Sequence, residues 1–147
     1  MKKLLVLTCV ALMLVSCNLQ SVAGTSTAAY SHASIPLIES YRASWARSSE
    51  LVGATQTLSD STFVMEAGRE VRVRASICSQ MIELEHSIWL IVAHAELEAA
   101  CADGSHSDEH LMLGYRNSDP DALDQGLDYL QQSVDHLNRA VSLTPVE

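Results

Sequence analysis

Apolar residues along this chain recur at spacings of three and four. Strand-like alternation is confined to the short VRVR at Val71–Arg74. A first helix is predicted from Ser34-Ile35-Pro36, with Pro36 in the opening turn, where its missing N–H is tolerated. Leu37, Tyr41, Trp45, Ser48 and Val52 form its stripe. Gly53 and the polar run ATQTLSDS place its end near Thr57. Ser59 and Asp60 can cap a second helix, expected to run unbroken from about Ser61 to Cys101. Its stripe is Val64, Gly68, Val71, Ala75, Cys78, Ile82, Glu85, Trp89 and Val92. A second stripe, Ile77, Met81, Leu84, Ile88, Ile91 and Ala95, runs beside the first. Such a helix would be about 60 Å long, which predicts an elongated molecule. Gly104 and Ser105 end it, and the connector Cys101–Asp119 holds a short helical turn near Asp108–Tyr115. Asp119 then caps a last helix, with Pro120 in its first position. Leu123, Leu127, Leu130, Val134, Leu137 and Val141 form its seam, and it ends before Pro145. The expected fold is all-α: an elongated bundle of three main helices plus a short connector helix.

The first residues follow a different logic. Lys2 and Lys3 precede an apolar run from Leu4 to Val15, which is about 12 residues and too short to span a bilayer comfortably. Ser16 and Cys17 follow at once. The stretch Leu14-Val15-Ser16-Cys17 resembles the lipobox of bacterial lipoproteins. That resemblance implies a signal peptide over 1–16, cleavage before Cys17, a diacylglyceryl group on the Cys17 thiol and a fatty acyl chain such as palmitate on the new amino terminus. It also implies a membrane-bound partner surface, since two or three acyl chains anchor stably. Asn18, in place of the Asp that tends to retain such proteins in the inner membrane, points to the outer membrane, facing the periplasm. Residues 17–34 read as a lipidated flexible tether, rich in Ser, Thr, Ala and Gly, and 35–147 as the helical domain. A second apolar run, Ile88–Ala93, is bounded by Glu83, Glu85, His86, His94 and Glu96 and is too short to be a span.

Charge narrows the partners. The whole chain carries a formal charge of −9. Its lysines are Lys2 and Lys3, so cleavage before Cys17 leaves seven arginines against 18 acids, 7 − 18 = −11. Nucleic acid is disfavoured as a partner, and so is a polybasic grip on anionic lipid. An oxidising compartment favours pairing of Cys78 with Cys101. On one unbroken helix, however, they would stand about 34 Å apart, and a disulfide needs Cα atoms within about 7 Å. The expectation is therefore two unpaired thiols, Cys78 in the core and Cys101 exposed and reactive.

Two constellations bear on chemistry. Glu83-Leu84-Glu85-His86 resembles the Glu-x-x-His pairs of di-iron carboxylate bundles, which imply a metal held between helices. The chain has one copy where that family uses two, so a semi-exposed polar strip is the competing reading. His106 and His110, four apart, could hold zinc or copper on a helix, with a solvated loop as the alternative. G-x-S-x-G, H-E-x-x-H, C-x-x-C and Gly-rich phosphate loops are absent. The stretch Ser133–Pro145 is similar to the second helix of a tetratricopeptide repeat, which would imply protein binding. The residues upstream do not fit that repeat.

The expected protein is thus a lipid-anchored envelope lipoprotein, not an enzyme. It would act by contact with another envelope protein or with itself, and no catalytic, cofactor or metal residue is assigned. The alternative is a periplasmic metal-binding bundle using some of Glu83, His86, His94, His106 and His110. Redox sensing through Cys101 is a third, smaller reading.

Overall fold

A computed structural model describes residues 26–53 and 60–144. Among these residues the fold is all-α. Helices α1 (Thr27–Gly53), α2 (Asp60–Ile82), α3 (Ile91–Asn117) and α4 (Pro120–Leu143) alternate in direction, with a 3₁₀ turn at Ile88–Leu90 before α3. The expected signal peptide, Cys17 and the expected cap at Ser59 lie outside the described residues. Among the described residues the bundle thus has four long helices where three and a short connector were expected.

Helix α1 begins at Thr27, inside the segment expected to be tether. Tyr30, Ser31 and Ser34 are buried there, and burial against α3 stabilises turns that composition alone would leave unstructured. Pro36 therefore falls in the helix interior. Its ring removes the N–H that would meet the His32 carbonyl, but His32 and Pro36 both face solvent, so water can serve that carbonyl. Ser40 Oγ donates to the Pro36 carbonyl at 2.8 Å.

The expected long helix is two. Helix α2 stops at Ile82, residues 84–87 are non-helical, and the chain reverses into α3. No Gly or Pro makes this break. Glu83, Leu84 and Glu85 are adequate helix formers, but an unbroken helix would carry Leu90, Leu97 and Ala100 far from Tyr30, Ile38 and Tyr41. Folding back buries all six in one core with Ile77, Met81, Leu137 and Ala140. The reversal also brings Cys78 and Cys101 to a Cα separation of 5.6 Å, where they form a disulfide. This corrects the expectation of free thiols: Cys101 is buried and bonded.

Helix α3 continues through Gly104 and Ser105, which were expected to end it. Both α3 and α4 place small residues every seventh position: Ala93, Ala100, Ser107 and Gly114 on one, Gly126, Ser133 and Ala140 on the other. The antiparallel pair packs closely along these rows, a knobs-into-holes register with tiny knobs. Ser107 Oγ donates to the Gly126 carbonyl at 2.7 Å, and Ser133 Oγ donates to the Ala100 carbonyl at 2.7 Å. A Cβ on Gly104 would stand 1.7 Å from the Tyr41 hydroxyl oxygen, so only glycine admits the α1 tyrosine at this crossing. The true seam of α4 is therefore one step around from the leucine seam that the spacing suggested. Leu127 is exposed, while Gly126, Ser133, Leu137 and Ala140 are buried. The turn before α4 matches expectation: the Asp119 carboxylate accepts from the N–H groups of Asp121 (3.0 Å) and Ala122 (3.2 Å), and Pro120 follows it.

Candidate functional site

The buried face of α2 comprises Phe63, Glu70, Arg74, Ile77 and Met81. Of the two adjacent apolar stripes the spacing gave, Ile77 and Met81 of the second face the core, while Val71, Ala75, Cys78 and Ile82 of the first turn toward α3 and line a groove of about 770 Å³ between the two helices. Met112 and Leu113 form part of the α3 wall. The disulfide ties the helices together within this groove, and Phe63 packs on Tyr115 with ring centroids 4.2 Å apart.

Charged groups hold the groove's floor. Arg74 is 4% exposed. It donates through Nε to Asp108 Oδ2 at 3.0 Å and through Nη2 to Asp108 Oδ1. Its Nη1 donates to Ser48 Oγ at 2.7 Å and to Ser44 Oγ at 3.2 Å, and its guanidinium lies 3.8 Å over the Trp45 ring. Burial pushes the Asp108 carboxyl up, and Arg74 offsets part of that push. Glu70 accepts from Ser44 Oγ at 2.7 Å and from Arg47 at 3.1 Å. Burial alone would raise its carboxyl, but these donors outweigh burial and hold it below the usual range. Arg74 and Glu70 each have several partners, and Asp108 is held by two bonds from Arg74, which is the condition for burying charge at tolerable cost. The network joins α1, α2 and α3 and keeps the groove's walls in register. Its trace in the sequence is slight: Glu70 and Arg74, four apart, share a face with Phe63, Ile77 and Met81.

The histidines do not assemble one site. Glu83 lies in the turn after α2 and His86 in the non-helical linker, so the Glu-x-x-His resemblance lacks its helix. The His86 ring packs on His94 with centroids 4.1 Å apart. The buried Tyr30 hydroxyl lies 3.3 Å from His94 Nδ1. Burial, with some help from Glu98, pushes the Tyr30 phenol up to about 12, so it stays protonated and shares a hydrogen bond with the imidazole. Burial first, and His86 second, lower the His94 pKa, against smaller opposing effects from Glu98 and the Ile82 backbone. His106 and His110 lie within α3, not in a loop, and flank Tyr129 of α4 at 5.1 and 5.4 Å between centroids. His136 contacts Glu96 at 2.5 Å and Asp103 at 3.4 Å. The His136 and Arg139 donors hold the Glu96 carboxyl low. Among the described residues no group of three or more His, Cys, Asp or Glu side chains converges as a metal site. Also among them, no helix is long and apolar enough to cross a membrane.

Fold and site together define a disulfide-tied, all-α helical bundle with an apolar groove between two of its helices. No family model, curated protein or solved structure matches this chain.

Proposed function

We propose that this chain is a lipid-anchored envelope protein, tethered through Cys17, that acts by binding another envelope protein in the groove between α2 and α3. The observation that carries the binding half is the stripe Val71, Ala75, Cys78 and Ile82. These residues sit at the 4-3-4 spacing of a helix-packing seam, yet they line an open groove in place of a packed interface. A slot walled by two helices fits an amphipathic helix of the partner, which would complete the packing as a further member of the bundle. The anchoring half is supported by the Leu14-Val15-Ser16-Cys17 stretch. The paired cysteines agree with an oxidising compartment such as the periplasm, with outer-membrane placement following from Asn18. Binding rather than catalysis is the role this geometry supports.

Site-specific photocrosslinking in intact cells tests the reading. A photoreactive residue at Ala75 or Leu113 should attach to one protein partner, while the same residue at exposed Arg72 should not. Equal labelling from all three positions, or none from the groove, would refute groove binding. Mass spectrometry of the mature amino terminus tests the anchor.

A further inference from the structure

Four large apolar side chains stand exposed around the 3₁₀ turn that joins α2 to α3. Trp89 is 87% exposed, Ile88 59%, Val92 57% and Ile91 54%. Between them Leu90 is 2% exposed and plugs into the core, so the turn is held from beneath while its neighbours point outward. Their combined exposed area is roughly 500 Å². A stable protein interface needs about 800 Å² from each partner, so this tip alone is too small to be one.

The start of α1 lies at the same end of the bundle. Tyr30, in the first turn of α1, meets His94, in the first turn of α3, at 3.3 Å. Cys17 precedes Thr27 by ten residues, which can reach at most about 35 Å. The 27 residues of α3 carry the opposite end about 40 Å further off. An anchor at Cys17 therefore lets the apolar tip reach the bilayer, and with the bundle upright on that tip the α3–α4 turn lies on the far side.

We propose that Ile88, Trp89, Ile91 and Val92 insert into the interface of the membrane that holds the anchor, so that the bundle stands on that surface tip first. This rests on the anchoring reading above. Tryptophan suits the headgroup level, where its ring is apolar and its N–H stays wet. From Ile82 to Glu98 there is no Lys or Arg; Glu83, Glu85 and Glu98 belong to that stretch, and its remaining acid, Glu96, is paired with Arg139 of α4 at 2.9 Å. Insertion is therefore apolar and owes nothing to anionic headgroups. On neutral vesicles it should be indifferent to salt, and on anionic vesicles it should be weaker at low salt. With the tip down, the groove extends away from the bilayer, between α2 and α3, where a periplasmic partner can enter.

The test uses the lipidated full chain reconstituted into phosphatidylcholine vesicles, plain or brominated on the acyl chains. Wild type is compared with Trp89→Phe, which keeps Trp45 as the sole tryptophan. In plain vesicles the Trp89 emission should shift to the blue. In brominated vesicles most of it should be lost at low and high salt alike, and Trp89→Phe should show neither change. Trp89 emission that stays red and open to aqueous acrylamide, while the protein floats with the vesicles, overturns tip insertion and leaves the anchor standing. Shielding from both quenchers also overturns it, because a second copy or a protein partner then covers the tip. A chain whose mass shows no acyl groups on Cys17, and which leaves the vesicles, overturns the anchor and the proposal together.

Discussion

Replacing Gly126 with alanine sets two effects of opposite sign against each other. Alanine is the better helix former by about 1 kcal/mol, so propensity alone predicts a gain. The structure predicts a loss. A Cβ at this position would stand 2.7 Å from Leu111 Cγ, 2.9 Å from its Cδ2 and 2.9 Å from its backbone N. Ordinary contact begins near 3.5 Å, so about 0.6–0.8 Å must be found. A rotamer change could move the leucine side chain, but it cannot move the Leu111 nitrogen. Helices α3 and α4 must therefore separate locally. That strains the 2.7 Å bond from Ser107 Oγ to the Gly126 carbonyl and loosens the small-residue rows on either side. Overpacking of this kind costs about 1–3 kcal/mol, and the lost hydrogen bond adds about 1 kcal/mol. Net of the propensity gain, the variant should lose about 1–3 kcal/mol, or about 4–12 °C in Tm at roughly 4 °C per kcal/mol. Gly68→Ala is the matched control. Its Cβ would meet only the flexible end of Arg72 at 3.7 Å, so propensity should prevail and Tm should rise by about 4 °C. Thermal unfolding followed by far-UV circular dichroism reads both. A Gly126→Ala protein as stable as wild type, or both variants moving the same way, would refute close helix packing as the reason for the glycine.

Three further outcomes follow from the same structure. Reducing the Cys78–Cys101 bond reopens a 23-residue separation, which should cost about 3.4 kcal/mol by chain entropy and appear as a lower urea midpoint with thiol present; alkylation of both cysteines in the unreduced, native protein would contradict the bond. Arg74→Met strands Asp108 beneath the groove and should cost about 3–5 kcal/mol in urea unfolding, whereas Arg74→Met combined with Asp108→Leu should recover most of the loss; a double variant as unstable as the single would show that the network matters by shape and not charge. The lowered His94 pKa means that, below about 6.5, the unfolded chain binds a proton that the folded chain refuses, so stability should fall as pH drops from 7.5 toward 5.5; urea melts across that range should show the fall in wild type and a flatter profile in His94→Gln, and parallel profiles would rule His94 out as the source.

The all-α class was legible because spacings of three and four run through the chain, and the α4 start was legible because Asp119-Pro120 is a local signal with a local mechanism. Three things were not. The break after Ile82 has no Gly or Pro to announce it, and local preference across Glu83–Ser87 opposes it. The disulfide was read as unreachable for that reason alone. The groove was missed because periodicity identifies an apolar stripe without saying whether a neighbour covers it. Val71, Ala75, Cys78 and Ile82 look as apolar as the neighbouring stripe, and only the packed bundle shows that Ile77 and Met81 of that stripe take the core.

Hydrophobic period, caps and turn residues act within a few positions of themselves, so the chain alone carried helix class, the last helix's start and the apolar character of each stripe. Which stripe faces the core, where α2 gives way to α3, and that Gly104 of α3 is a contact point and not a break depend on residues tens of positions apart. Those choices are made by burial summed over the whole bundle, and that sum exceeds the roughly 1 kcal/mol per residue that local preference can offer.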